Sequence, residues 1–114
     1  MGESYTLGEV EWNEVDREGT QGVALHVVVP LEEGGRTQVS LTRIAEGGSY
    51  EIHVDEYAQV FCVLDGEGEG EVAGERTRLK PGVIMRTDAG DPHGLWAAAD
   101  RPLVVLTANT YPER

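Results

Sequence analysis

Two side chains that can bind a metal lie two positions apart near the middle of the chain, and a third follows much later. His53 and Asp55 are separated by a single residue, and Gln59 follows at the start of the apolar run 60–64. Residues at i and i+2 of a β-strand project from the same face, so the imidazole and the carboxylate are expected to point the same way. The polar segment that ends at His93 offers a second imidazole.

This set of side chains indicates transition-metal chemistry. His53, Asp55, Gln59 and His93 supply two imidazoles, one carboxylate and one amide oxygen. Two histidines and one carboxylate bind first-row divalent metals and leave coordination positions open for a substrate. Mixed nitrogen and oxygen ligands suit Fe, Mn, Ni, Co or Zn better than Ca or Mg. The alternative is that each residue is an ordinary polar group at a strand end or turn. The facing of His26, the third histidine, is not readable from the sequence.

Composition limits the class of protein. The 114 residues fit one compact domain, and the 15 glycines and five prolines favour an all-β chain with many turns. The net charge of −12 repels nucleic-acid phosphates and anionic membranes, so neither is expected as a partner. Cys62 is the single cysteine, which excludes an intrachain disulfide. Residues 1–15 contain no apolar run typical of a secretory signal, so a cytoplasmic location is expected.

Short β-branched or alternating segments separated by turn residues predict eight to ten strands and no amphipathic helix. The clearest candidate strands are 22–29, 37–44, 60–64, 75–79, 83–85, 95–98 and 103–108. Ala73-Gly74 is a predicted hairpin turn. Residues 1–20 are expected to form an arm or edge strand, with Trp12 docked on the chain's own core or on a partner, and residues 21–111 form the single domain. This pattern is typical of a β-barrel or β-sandwich.

The spacing of the polar residues resembles that of the cupin superfamily. The pattern G-x5-H-x-H-x3-E-x6-G of the first cupin motif is matched in spacing by Gly47, His53, Asp55, Gln59 and Gly66. The second motif, G-x5-P-x-G-x2-H-x3-N, is matched in spacing by Gly82, Asp88, Gly90, His93 and Ala97. The resemblance is to small single-domain bacterial cupins. It implies an antiparallel jelly-roll barrel (a double-stranded β-helix), which is commonly dimeric and holds one metal at its mouth.

Several motif positions depart from the family's residue types. Asp55 replaces a histidine, Gln59 replaces a glutamate, and Asp88 and Ala97 replace the proline and asparagine of the second motif. Carried over position by position, the resemblance implies that one divalent transition metal is bound by His53, Asp55, Gln59 and His93. The two exchanges leave the summed ligand charge at −1. A neutral amide is a poorer ligand than a carboxylate, which predicts a weaker site.

The resemblance implies two classes of function. The first is a metal-dependent enzyme, such as an oxygenase, isomerase or lyase, that acts on a small organic molecule. Glu56, Tyr57 and Asp91 are the candidates for acid–base assistance. The alternative is a non-catalytic module that binds or senses a sugar-like small molecule. A His-x-Asp pair with a distant histidine also resembles the 2-oxoglutarate-dependent oxygenases, for which Arg101 would bind the cosubstrate, although those chains are much longer.

Strand parity adds an expectation about assembly. If Gln59 faces the barrel interior, Phe61 and Val63 face it too and form the floor of the pocket. The opposite parity then faces outward and carries three apolar side chains, Val60, Cys62 and Leu64. An apolar outer face predicts either a homodimer interface or packing against a second sheet of the same chain.

Overall fold

The protein, described here by a computed structural model, is built almost entirely of β-strands over residues 2–113; Met1, in the predicted arm, and Arg114 lie outside the described residues. Within this described range, one 3-10 turn spans Leu7–Glu9. The strands are β1 Asn13–Glu14, β2 Thr20–Val29, β3 Thr37–His53, β4 Ala58–Asp65, β5 Gly68–Val72, β6 Glu75–Leu79, β7 Ile84–Thr87, β8 His93–Ala97 and β9 Leu103–Thr110. Within residues 2–113, no helix has the length and apolarity needed to cross a membrane.

All strand pairings are antiparallel and join the nine strands into one curled sheet. The order of neighbouring strands is β6-β5-β8-β3-β9-β4-β7, and β2 pairs with both β1 and β3. The predicted hairpin forms between β5 and β6, where Ala73 and Gly74 both have positive φ values of 50° and 87°. A two-residue turn in which both residues have positive φ has a twist that matches the right-handed twist of the two hairpin strands. The predicted all-β jelly-roll barrel is confirmed.

The longest strand differs from the sequence prediction and carries the first metal-site residue. The predicted strand 37–44 continues as β3 through the diglycine Gly47-Gly48 to His53. The first half of β3 pairs with β9, and the second half pairs with β8. A side chain at position 48 would collide with the carbonyl oxygen of Gln21 on β2, so glycine lets the strand bend there without losing its neighbours.

One end of the barrel interior is filled by an apolar core. Its buried members are Val23, Ile44, Phe61, Val63, Leu79, Met85, Leu95, Leu103 and Val105. The predicted parity of β4 is confirmed, because Gln59, Phe61 and Val63 are buried. Val60 and Leu64, on the opposite parity, are 41% and 39% exposed, so no second sheet of this chain covers them.

The N-terminal arm packs on the chain's own sheet. Strand β1 pairs with β2, and the guanidinium of Arg43 lies 4.9 Å from the ring centroid of Trp12. His26 anchors the arm: its Nε2 lies 3.2 Å from the hydroxyl of Tyr5, and its Nδ1 lies 3.2 Å from the carbonyl oxygen of Glu11. His26 therefore has a structural role at the arm and does not line the cavity described below.

Candidate metal centre and its cavity

Three potential metal ligands converge at the mouth of the barrel. His53 ends β3, His93 begins β8, and the two residues face each other in the register of this strand pair. Their ring centroids are 4.3 Å apart. Asp55 follows β3 directly, and one ligand atom from each of these three residues lies within 4.8 Å of the others. The fold therefore brings together residues that are distant in the sequence, at a separation suited to a shared metal ion.

Both imidazoles are oriented by backbone carbonyl groups. His53 Nδ1 lies 2.7 Å from the carbonyl oxygen of Glu51, and His93 Nδ1 lies 2.8 Å from that of Asp91. A carbonyl oxygen accepts only, so each Nδ1 carries the proton and donates it. In the neutral ring this leaves the lone pair on Nε2, which is the arrangement found around metal-binding histidines.

The two Nε2 atoms meet one carboxylate oxygen. Asp55 Oδ2 lies 3.2 Å from His53 Nε2 and 3.1 Å from His93 Nε2. His93 Nε2 is a buried atom that makes no hydrogen bond in the described chain, and it faces Asp55 as an ion pair only if the imidazole is protonated. Buried polar atoms are rarely left unpaired. A divalent cation between the carboxylate and the two nitrogen lone pairs would satisfy all three groups, so these residues fit a metal.

Burial and ion pairing shift the pKa values of His53 and Asp55 in opposite directions. Burial alone would lower the pKa of His53, but the adjacent Asp55 carboxylate and the carbonyl of Glu51 outweigh it and raise the pKa above its usual value. Burial likewise opposes ionisation of Asp55, but attraction to His53 and His93 holds its pKa well below the usual range. In the metal-free protein, protonation of His53 and ionisation of Asp55 therefore favour each other.

Gln59 also lines the cavity, and its buried amide has one unpaired oxygen. Its Nε2 donates to Asn109 Oδ1 at 2.9 Å, while its Oε1 is buried and has no hydrogen-bond partner in the described chain. Asn109 Nδ2 donates to Gln38 Oε1 at 3.5 Å, and the Tyr111 hydroxyl donates to the same oxygen at 3.2 Å. This amide chain fixes the orientation of Gln59 and leaves its carbonyl oxygen without a hydrogen-bond partner in the described chain.

The cavity around these groups has a volume of about 210 Å³. Its floor is apolar, with Phe61 and Leu95, and its walls are mostly polar. The polar and aromatic lining residues are Arg17, Gln38, Ser40, Thr42, Tyr50, His53, Asp55, Tyr57, Gln59, His93, Thr107, Asn109 and Tyr111. Val63 lies deeper, in the core, and does not line the cavity.

Of the three acid–base candidates, Tyr57 lines the cavity. Burial and the charge of Asp55 raise the pKa of Tyr57 far above its usual value, so it remains a protonated phenol. Glu56 is exposed and lines an adjoining groove, which shares Asp55, Tyr57 and Tyr111 with the cavity. Asp91 accepts a hydrogen bond from the Asp88 amide with Oδ2 at 2.9 Å, and its part in the site is the carbonyl that orients His93.

Other positions in the lining were not singled out by the sequence analysis. Gln38 lies on the polar parity of the predicted strand 37–44, and that polarity was the available signal for an interior cavity. No such pattern surrounds four other lining residues, and whether their side chains face the cavity depends on strand register and loop path. These residues are Arg17, Tyr50, Asn109 and Tyr111. Arg101, considered for a cosubstrate, instead lies 3.7 Å from Glu67 and does not line the cavity.

Comparisons with known proteins agree with this architecture. A model of the cupin domain matches residues 40–109. The L-ectoine synthase of Halomonas elongata is 36% identical over 69 residues, covering 59% of this chain and 50% of that protein. That of Vibrio campbellii is 39% identical over 67 residues, covering 57% of this chain and 52% of that protein. The chain thus spans about half the length of these relatives.

Solved structures show the same fold at low sequence identity. The polyketide cyclase RemF from Streptomyces resistomycificus superposes with a TM-score of 0.82 at 18% identity, covering 98% of this chain and 81% of that chain. A predicted oxalate decarboxylase from Thermotoga maritima superposes with a TM-score of 0.84 at 18% identity, covering 96% of this chain and 100% of that chain. Together with the match over residues 40–109, which is more than half of the chain, these findings show that the chain belongs to the cupin family.

Proposed function

We propose that this cupin is a metal-dependent enzyme that acts on a small organic molecule. His53, Asp55 and His93 would hold one divalent transition metal, and Gln59 would add its amide oxygen. The observation that carries the proposal is the buried Nε2 of His93, which makes no hydrogen bond in the described chain and converges with His53 and Asp55, while its ring is already oriented by the Asp91 carbonyl. A purely structural histidine would have both nitrogens satisfied.

The ligand set favours Fe, Mn, Ni, Co or Zn, because imidazole nitrogen combined with a single carboxylate is typical of these ions. When bound, such a metal polarises a substrate oxygen or activates water. Gln59 is neutral, so the ligand charge of −1 comes from Asp55 alone. This is the same total as in the family's motif, in which a glutamate supplies it.

The chain's own residues would bind and orient the substrate. Tyr57 remains a protonated phenol next to Asp55, so it can donate a hydrogen bond to an oxygen that gains negative charge. Thr42 and Thr107, whose hydroxyl oxygens are 3.2 Å apart, add polar groups to the wall. Phe61 excludes water from the floor. A cavity of about 210 Å³ restricts the ligand to a molecule smaller than a typical drug.

The names of similar proteins support an enzyme over a binding module. The aligned relatives are L-ectoine synthases, and two of the similar structures are described as a polyketide cyclase and a predicted oxalate decarboxylase. These reactions differ from one another, and the cupin fold hosts many activities, so fold alone does not select a reaction.

The proposal is tested by incubating a mixture of small organic acids, hydroxy acids and amino-acid derivatives with the untagged protein. The protein is supplied metal-free or loaded with each candidate metal, and the mixture is followed by NMR. We expect one component to change chemically only with the loaded protein, and turnover to fall at least 100-fold in His93→Ala. Glu75→Gln, on β6 and not lining the cavity, serves as the control with unchanged turnover. Line broadening of a component that is never converted would instead identify a sensor or binding module.

A further inference from the structure

We infer that the cavity binds its small molecule by a carboxylate, which lies against the guanidinium of Arg17 while the other end of the molecule faces His53 and His93. The binding of a carboxylate by Arg17 depends on the contacts of that arginine and does not require the metal. The orientation of the ligand rests on the proposed metal function.

The loop that carries Arg17 is held in place from both sides. Thr20 Oγ1 donates to the carbonyl oxygen of Arg17 at 2.7 Å, and the Thr20 amide donates to the same oxygen at 3.2 Å. The carbonyl oxygen of Gly19 accepts a hydrogen bond from the Glu51 amide of β3 at 2.7 Å. The backbone at Arg17 is thus fixed next to the strand that ends at His53, which reduces the entropy lost when a ligand binds.

The guanidinium of Arg17 has no acidic partner. Within residues 2–113, no carboxylate lies within 4.0 Å of it, and it makes no side-chain hydrogen bond. Four other arginines are each within 4.0 Å of a carboxylate: Arg76, Arg78, Arg86 and Arg101. The contact that Arg17 does make is with the face of Tyr50, 5.8 Å from the ring centroid. Among the described residues, Arg36 and Arg43 also lack a carboxylate within 4.0 Å, but neither lines the cavity. Arg17 is exposed and lines the cavity, so its guanidinium is available for a ligand.

Tyr50 joins Arg17 to the metal-binding group. Its ring stacks on that of His53 with centroids 4.2 Å apart, so Tyr50 contacts both the guanidinium and the imidazole. A molecule small enough for the cavity can therefore reach both the guanidinium of Arg17 and the imidazole of His53. An arginine held over an aromatic ring presents its planar fork to a carboxylate and can bind it through two hydrogen bonds.

The charge of the cavity favours an anion once a metal is bound. Arg17 and Asp55 are the permanently charged residues among those that line it, and their charges cancel. A divalent metal then makes the cavity positive, although the chain as a whole carries −12. This local field selects a negatively charged ligand against the repulsion of the surrounding surface.

The inference is tested with two probes that differ only in the charge of one end. Glutaric acid monohydroxamate chelates a metal through the hydroxamate and carries a free carboxylate. Its partner has the carboxylate converted to a primary amide. Binding of both probes to the Zn-loaded full chain is measured by calorimetry for the wild type, Arg17→Gln and Arg78→Gln. The last variant makes the same change in net charge at an arginine that does not line the cavity.

We expect the wild type and Arg78→Gln to prefer the carboxylate probe by about five- to tenfold, and Arg17→Gln to bind the two probes equally. Equal affinities in the wild type, or a preference that survives in Arg17→Gln, would overturn the inference. Failure of both probes to bind the wild type would instead count against the metal site. In that case titration with glutarate alone decides the anion site: binding that weakens in Arg17→Gln but not in Arg78→Gln supports it, and any other result overturns it.

Discussion

At the scale of single residues, the candidate site depends on which nitrogen of each imidazole carries the proton. The carbonyls of Glu51 and Asp91 fix the Nδ1 protons of His53 and His93. Both Nε2 atoms therefore face Asp55, where either a proton or a metal ion can bridge the groups. Protons and a metal compete for the same three residues.

This competition predicts opposite pH dependences for the stability of the metal-free protein and for its metal affinity. The raised pKa of His53 contributes stability below the unfolded value of about 6.5 that is lost as pH rises through the folded value. The lowered pKa of Asp55 contributes stability above about 3.9 that is lost as pH falls. From pH 6 to pH 8 we expect the contribution of this pair to the free energy of unfolding to fall, while zinc affinity rises.

Urea unfolding of the wild type and of Asp55→Asn at several pH values provides the first measurement, and zinc titrations at the same pH values provide the second. Removing the carboxylate should reduce the difference between the free energies of unfolding at pH 6 and pH 8. A stability profile that is the same in Asp55→Asn and the wild type would show that the pairing of Asp55 with His53 does not contribute to the pH dependence.

The sequence alone indicated His53, Asp55 and His93 because imidazole and carboxylate groups at motif spacing have a recognisable chemistry. It did not indicate Arg17, Tyr50 or Asn109. Each is a single polar or aromatic residue whose side chain reaches the cavity only because of strand register or a loop path. Register is set by the packing of the whole sheet and is not visible in the residue itself.

At the scale of elements, β3 determines the site, because one strand carries Gln38 at its start and His53 at its end. Its bend at Gly47-Gly48 looked in the sequence like a break between two strands, since glycine pairs usually mark loops. In the structure, the bend lets β3 change its partner from β9 to β8 without ending. Most of the other strands were predicted more closely because their boundaries coincide with ordinary turns, whereas the Gly-rich β5 was indicated only by its hairpin turn.

We expect Gly48→Ala to destabilise the protein by roughly 2 kcal/mol, because the added methyl group would collide with the backbone carbonyls of Gln21 and Ala45 and neither can move freely. Gly8→Ala is the matched control, since a methyl group there meets the Thr6 hydroxyl oxygen at 3.8 Å, an ordinary contact. Urea unfolding of the three proteins measures the difference. Equal stabilities would show that the strand does not need glycine at this bend.

At the scale of the whole molecule, the acidic surface and an apolar outer face act against each other. Val60 and Leu64 on β4 and Ile84 on β7 are 41%, 39% and 66% exposed. Apolar groups on neighbouring strands often mark an interface. Copies that each carry −12 nevertheless repel one another. We expect a homodimer formed through this face, and salt should strengthen it by screening the repulsion over a Debye length of roughly 10 Å at 0.1 M.

Light scattering across a salt series tests this expectation. The wild type should have the mass of two chains, most completely at high salt, and Ile84→Thr should shift it toward one chain. Val54→Thr, an exposed apolar position outside strands β4 and β7, is the control. A single-chain mass at micromolar concentration and high salt would exclude the dimer.

The central claim, that His53, Asp55 and His93 bind one divalent metal, is tested most directly by calorimetric titration of the metal-free, untagged protein with Zn²⁺ or Co²⁺. We predict one ion per chain, an affinity lowered by at least 100-fold in His93→Ala, and a smaller loss in Gln59→Ala, because an imidazole is a stronger ligand than a neutral amide. His26→Ala, at the N-terminal arm, should leave binding unchanged. Absence of saturable binding, or equal affinity in His93→Ala and the wild type, would contradict the account.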